Sequence, residues 1–157
     1  MKIWVDADAC PGAVREIIIR AVRRLQVPAV FVANKTVALP AIAQLSFVRV
    51  AMGLDVADRH IAEAASKGDL AVTADIPLAA ALVAKAVTVI DPRGTVFSEE
   101  NIGEAVGVRD LMHDLRESGV ETSGPKSFGP RDVQRFASAF DRALNAALQK
   151  DRLGAIS

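Results

Sequence analysis

The sequence predicts an α/β fold: a single domain built on an open parallel sheet, with helices on both faces. Three observations predict it. Short apolar runs recur along the chain, separated by segments of helical periodicity. The runs are apolar almost throughout, as strands covered on both faces are. Acidic residues follow several of them directly, at the strand ends where open parallel sheets place their ligand sites.

Lys2–Asp6 reads as the first strand, broken by Pro11 and Gly12. Ala13–Leu25 reads as a helix, because Val14, Ile17, Ile18, Ala21, Val22 and Leu25 recur at helical spacing while four arginines take the rest of the wheel. Pro11 suits its first turn. Ala29–Ala33 is a β-branched and aromatic run stopped by Asn34, and Phe47–Val50 is a third strand. Val56–Lys67 reads as a helix stopped by Gly68. Leu70–Thr73 is a fourth strand ending at Asp75, and Pro77–Lys85 an alanine-rich helix. Val87–Ile90 is a fifth strand, ending at Asp91 and Pro92. Ser98–Ser118 reads as helical, weakened by Gly103 and Gly107; 120–130 is a Gly/Ser/Pro loop. Arg131–Gln149 is amphipathic, with Val133, Phe136, Phe140, Leu144 and Leu148 on one side. We therefore expect one domain over 1–157, with 98–149 a helical extension docked on or beside the sheet, since the piece after the 120–130 loop is too short to fold alone.

Composition narrows the function classes. With 51% hydrophobic residues, the chain can bury a core. Lys+Arg and Asp+Glu are 19 each, which argues against a broad basic patch for nucleic acid. A metal ion would supply positive charge instead. One cysteine and 2 histidines leave neither a disulfide framework nor a Cys/His zinc site. No run of about 18 apolar residues suggests a membrane span, so a cytoplasmic location with no membrane partner is the expectation. The neutral total hides a bias: from Ile17 to Leu54 there is no acid, while Asp55, Asp58, Glu63, Asp69, Asp75 and Asp91 follow in the middle.

The aspartates carry the chemistry. Asp6 and Asp8 follow the first strand, Asp55 and Asp58 the third, Asp75 the fourth, Asp91 the fifth. Carboxylates crowded on one sheet edge repel unless a cation sits among them. An all-oxygen set suits Mg²⁺ or Mn²⁺, ions that polarise phosphoryl oxygens and activate water. Asp8, Asp58 and Asp75 are each open to a second reading as helix N-caps. Capping does not account for Asp6, at the end of a central strand. The candidate metal ligands are Asp6, Asp8, Asp58 and Asp75, with Asp6, Asp8 and Asp75 as the catalytic set. Asn34 is a candidate for orienting water or phosphate. Arg93 and Arg131 are candidates for clamping phosphate, set against their reading as surface arginines.

The run from Asp58 through Arg-His-Ile-Ala, then TADIPL at 73–78, then VTVIDP at 87–92, resembles the second half of a PIN-like nuclease domain. More closely, VDADACPG, VAN, VADRHI, TADIPLA, DPRG and GPRD together are similar to the uncharacterised bacterial YaiI/YqxD family, over Met1 to about Leu144. The resemblance implies strand order 3-2-1-4-5, with Asp6, Asp8 and Asp75 meeting where the chain crosses sides. It implies Asp6, Asp58 and Asp75 as metal carboxylates. It also implies an acid on a helix in the first half, which the acid-free window lacks; Asp8 is the candidate substitute.

Cys10 at a helix start carries two readings, a thiol with lowered pKa or a buried small residue. Trp4 reads as core, and His60 shares the helix opened by Asp58. Aromatics at 4%, with no tyrosine, leave little for base stacking. The leading expectation is a metal-dependent phosphodiesterase acting on nucleic acid, RNA before DNA. The alternatives are a non-catalytic metal, nucleotide or RNA binder on a degenerate nuclease site, and an aspartate-nucleophile phosphatase, which Asp-x-Asp after the first strand would serve.

Overall fold

The first strand, β1 (Ile3–Asp6), is buried along its whole length and occupies the middle of the sheet. The structure, a computed structural model, describes residues 1–122, 124 and 126–156. Beside β1 lie β2 (Ala29–Ala33) and then β3 (Leu45–Arg49) on one side. On the other lie β4 (Leu70–Val72), β5 (Thr88–Ile90) and β6 (Val96–Phe97), giving the order β3-β2-β1-β4-β5-β6. The first five strands are parallel and β6 runs antiparallel to β5. The order expected for the first five strands holds. The chain leaves β1 for β2 in one direction and returns past it to β4 in the other, so the end of β1 is the switch point.

Strand alternation divides the core between two faces. Ile3, Val5, Phe31 and Val72 pack with Val14 and Ile18 of α1 (Gly12–Leu25) and with Phe136, Phe140 and Leu144 of α5 (Pro130–Ile156). Phe136 stacks on Phe140 with ring centres 5.2 Å apart. Trp4, Val32 and Val89 pack on the opposite face with Ile61 of α2 (Val56–Ala64) and Leu78 and Leu82 of α3 (Ile76–Ala84). The amphipathic C-terminal helix thus docks on the sheet. The preceding helix, α4 (Ile102–Glu117), lies against α3 and buries none of its residues fully.

Element boundaries differ from expectation where side chains compete with the backbone ladder. The helix expected to reach Lys67 ends at Ala64, because the Asp69 carboxylate takes the Ser66 amide at 2.9 Å and pulls it from the helical ladder. Asp69 also accepts from the Lys2 amide and the Trp4 indole, both at 3.0 Å, and is 7% exposed. One carboxylate thereby ties the start of β1 to the turn before β4. Asp69→Asn, which replaces one acceptor oxygen with a donor, is expected to cost about 2 kcal/mol, since a buried donor left unpaired carries its desolvation penalty. The readout is thermal unfolding followed by the single tryptophan; an unchanged midpoint would remove Asp69 from the fold's supports.

Strand β6 was not expected. At two residues it is too short to show periodicity. The DPRG motif makes the hairpin that leads into it: the Gly94 amide bonds the Asp91 carbonyl, and the Asp91 carboxylate accepts from the amides of Arg93 and Thr95, both at 2.9 Å. Asp91 is therefore spent on a turn, not on the strand-end acidic set. The C-terminal helix runs past Gln149 to Ile156, and the chain's first amino group bonds Asp151 from its exposed side at 3.1 Å.

Candidate metal centre

Local structure places each acid differently. Asp75 stands at the N-cap of α3 and accepts the Leu78 amide at 2.8 Å, with Pro77 behind it in the first turn. The capping reading thus holds for Asp75, and its position at the end of β4 aims the same carboxylate along the sheet edge. The other two candidate caps do not act as caps. Asp58 lies in the first turn of α2, where Asp55 holds the N-cap position in a left-handed conformation (φ 63°) with no side-chain capping bond. Asp8 sits in a 3₁₀ turn, Ala7–Ala9, and its carboxylate accepts the Asn34 amide at 2.8 Å, fastening the end of β1 to the end of β2.

These elements converge on a cleft of about 370 Å³ lined by Asp6, Asp8, Asn34, Asp55, Asp58 and Asp75, among others. Carboxylate oxygens of Asp55, Asp58 and Asp75 lie within 4.8 Å of one another, a spacing one cation would bridge. Asp6 and Asp8 line the cleft and stand outside this triple. Asp6 is buried, and its carboxylate accepts from the Thr73 hydroxyl at 3.0 Å. That hydroxyl in turn accepts the Asp75 amide at 3.1 Å, so Thr73 links the ends of β1 and β4.

Electrostatics mark the cleft as short of positive charge. Burial raises the Asp6 pKa, the Thr73 bond opposes it, and the charges of Asp75 and Asp8 raise it further. Asp58 is pushed up to about 7, first by burial, then by Asp75 and Asp6, by a hydrogen bond shared with Asp75, and by Asp55. A proton held between two carboxylates near neutrality occupies the place a cation would take. The Asn34 Oδ1 is buried in the same cleft with no hydrogen-bond partner, a further oxygen left without a positive neighbour. The donor set is entirely oxygen, which fits Mg²⁺ or Mn²⁺.

Asp55 was absent from the expected ligands. The signal was present: it is the first acid after the acid-free window and precedes Asp58 by three residues, a spacing that puts both on one side of a helical turn. Arg93 and Arg131 lie in a second cleft that shares no residue with the first. Arg93 is held there by Asp132 at 3.1 Å, by the Lys126 carbonyl and by the Phe128 ring, 5.6 Å away. Cys10 takes the buried reading: desolvation pushes its thiol up to about 12, against the pull of Arg15. His60 meets Trp4 edge-on, with ring centres 6.4 Å apart, and lines none of this cleft.

The family model described as "Uncharacterized BCR, YaiI/YqxD family" matches residues 4–146. The chain belongs to that family. A UPF0178 protein of Myxococcus xanthus is 59% identical over 151 residues, covering 96% of this chain and 99% of that protein. A UPF0178 protein of Syntrophobacter fumaroxidans is 53% identical over 92% of this chain and 94% of its own length. One from Geobacter metallireducens is 49% identical over 97% of this chain and 98% of its own. No solved structure matches. Among the described residues no helix is long and apolar enough to cross a membrane.

Proposed function

We propose that the carboxylate cleft holds a divalent cation, Mg²⁺ or Mn²⁺, and that the protein hydrolyses phosphodiester bonds, with RNA as substrate. The observation that carries this reading is the convergence of Asp55, Asp58 and Asp75 at the carboxyl edge of the central strands, next to buried Asp6. The resemblance to PIN-like nuclease domains supports the substrate class. Asp55 takes the place of the first-half acid that resemblance calls for, with Asp8 as a further carboxylate on the cleft wall.

A bound divalent ion supplies Lewis-acid polarisation of the phosphoryl oxygens and a lowered pKa for coordinated water. The chain's own part is to hold the acids in place. Asp58 and Asp75 are fixed by the first turns of two helices, and Thr73 keeps Asp6 aligned beside Asp75. Asn34, anchored through its amide to Asp8, presents its side-chain amide to the same space.

The test is calorimetric titration with Mn²⁺, beside a cleavage assay on single-stranded and structured RNA, for wild type and Asp75→Asn. Asparagine keeps the helix cap and removes the charge. Wild type is expected to bind the ion and cut, and the variant to do neither. Failure of wild type to take up Mn²⁺ overturns the reading. Uptake with no cleavage of any substrate converts it to that of a binding module.

A further inference from the structure

We infer that the cleft at the start of α5 is a phosphate-backbone track, which holds a nucleic-acid strand as it leaves the carboxylate centre. The cleft has a volume of about 780 Å³ and continues along α5 as far as Arg142. Its walls bring together five cations, Arg93, Lys126, Arg131, Arg135 and Arg142, against one carboxylate, Asp132. Asp132 is already shared between Arg93 at 3.1 Å and Arg135 at 3.2 Å. Among the described residues, the side chains of Lys126, Arg131 and Arg142 have no acidic partner within ion-pair distance. Scattered surface arginines are ordinary. Several unneutralised cations on one concave wall, in a chain of net charge 0, repel one another until an anion joins them.

The topology supplies the path. Strands β1, β4 and β5 are adjacent and parallel, so Asp6, Asp75 and Arg93 emerge along one sheet edge in that order. At about 4.8 Å per strand, the Arg93 turn lies roughly 10 Å across from Asp6. A groove of about 850 Å³ opens beside the carboxylate centre, sharing Ala74 and Asp75 with it, and extends to Thr95, the neighbour in sequence of Gly94 in the basic cleft. Arg109, Arg116 and Glu104 stand on its wall, and Arg109 pairs with Asp110 at 3.6 Å. With few aromatics, the holding force is charge rather than stacking, so it is sequence-independent and salt-sensitive. The choice of a nucleic acid over another polyanion rests on the phosphodiester reading of the carboxylate centre.

The experiment is fluorescence anisotropy of the full chain with a labelled oligouridylate, without divalent ions, over a series of salt concentrations. Wild type is expected to bind with a log–log salt slope of about −2, from three uncompensated cations at ~0.7 each. Arg131→Gln/Arg142→Gln is expected to bind about tenfold or more weakly, with a slope shallower by about 1.4. Arg20→Gln, on α1 and outside this cleft, is the control expected to behave as wild type. Binding by the double variant equal to wild type, or independent of salt, overturns the track. So does displacement of the strand by an equal concentration of inorganic phosphate, which would mark a site for a single free anion. Asp58→Asn and Asp75→Asn should keep strand affinity. If the strand binds here while Mn²⁺ is never taken up, the metal reading fails and the track stands.

Discussion

Gly94→Ala is expected to destabilise the protein by about 3–4 kcal/mol, lowering its unfolding midpoint by roughly 7–14 °C. Gly94 has φ 92°, where an L side chain costs about 1–2 kcal/mol. A Cβ there would also sit 2.6 Å from the Arg135 carbonyl carbon, 2.7 Å from its oxygen and 2.9 Å from the Phe136 nitrogen. These are backbone atoms of a helix whose next residue, Phe136, is fully buried, so nothing can swing aside. Relieving the overlap means lifting the hairpin off α5, and overpacking of this kind adds about 1–3 kcal/mol. Gly68 is the control. It has φ 89°, and a Cβ added there would meet nothing within 4 Å, so Gly68→Ala bears the conformational cost alone. Equal losses from the two substitutions, measured by thermal or urea unfolding, would show that the contact with α5 contributes nothing.

Asp58→Asn is expected to weaken Mn²⁺ binding by about a hundredfold or more, since loss of an outer-shell partner alone costs about 10–100-fold. It should also reduce the pH dependence of stability expected of wild type. The Asp58 pKa is raised in the fold from the ordinary 3.8 to about 7, so the folded state binds more protons than the unfolded one between those values. Its contribution to stability is therefore complete below about pH 4 and is lost as pH rises through about 7. In metal-free buffer the unfolding midpoint of wild type should fall across that window, and Asp58→Asn should flatten the fall. A cation must displace the same proton, so Mn²⁺ affinity should rise with pH up to about 7, by about tenfold per unit for one proton, and then level off. Mn²⁺ should restore wild-type stability most at the alkaline end. Affinity that does not vary with pH below 7 would remove Asp58 from the ligand set.

The legible parts of the fold were those that repeat. Apolar runs and helical spacing located β1, β2, α1 and the face of α5, and Pro77 with Asp75 marked the start of α3. What escaped lay in contacts distant in sequence. The end of α2 depends on Asp69, whose other partners are Lys2 and Trp4, some sixty-five residues away. Strand β6 depends on an Asp91 turn and on pairing with β5, not on a pattern of its own.

The candidate site divides in the same way. Asp6, Asp58 and Asp75 were visible as acids after strands, and the structure puts all three on one cleft. Which of them meet was not visible. Asp55 joins Asp58 and Asp75 because a left-handed residue and the first turn of α2 carry it over the edge, while Asp8 is drawn aside by the Asn34 amide. The arginines divide in the same way. A net charge of 0 argued against a basic surface, yet folding sets five cations from three separate segments against one buried carboxylate.

By itself the sequence determined the strand-and-helix alternation, the burial of the central strands and the set of acids at their ends. These follow from local periodicity and from the chemistry of residues near in sequence. Tertiary structure alone decided which carboxylates converge, which are committed to turns and caps, and where the uncompensated positive charge collects. Those outcomes depend on distances of a few ångströms between groups far apart in the chain, and only the packed sheet and its helices set those distances.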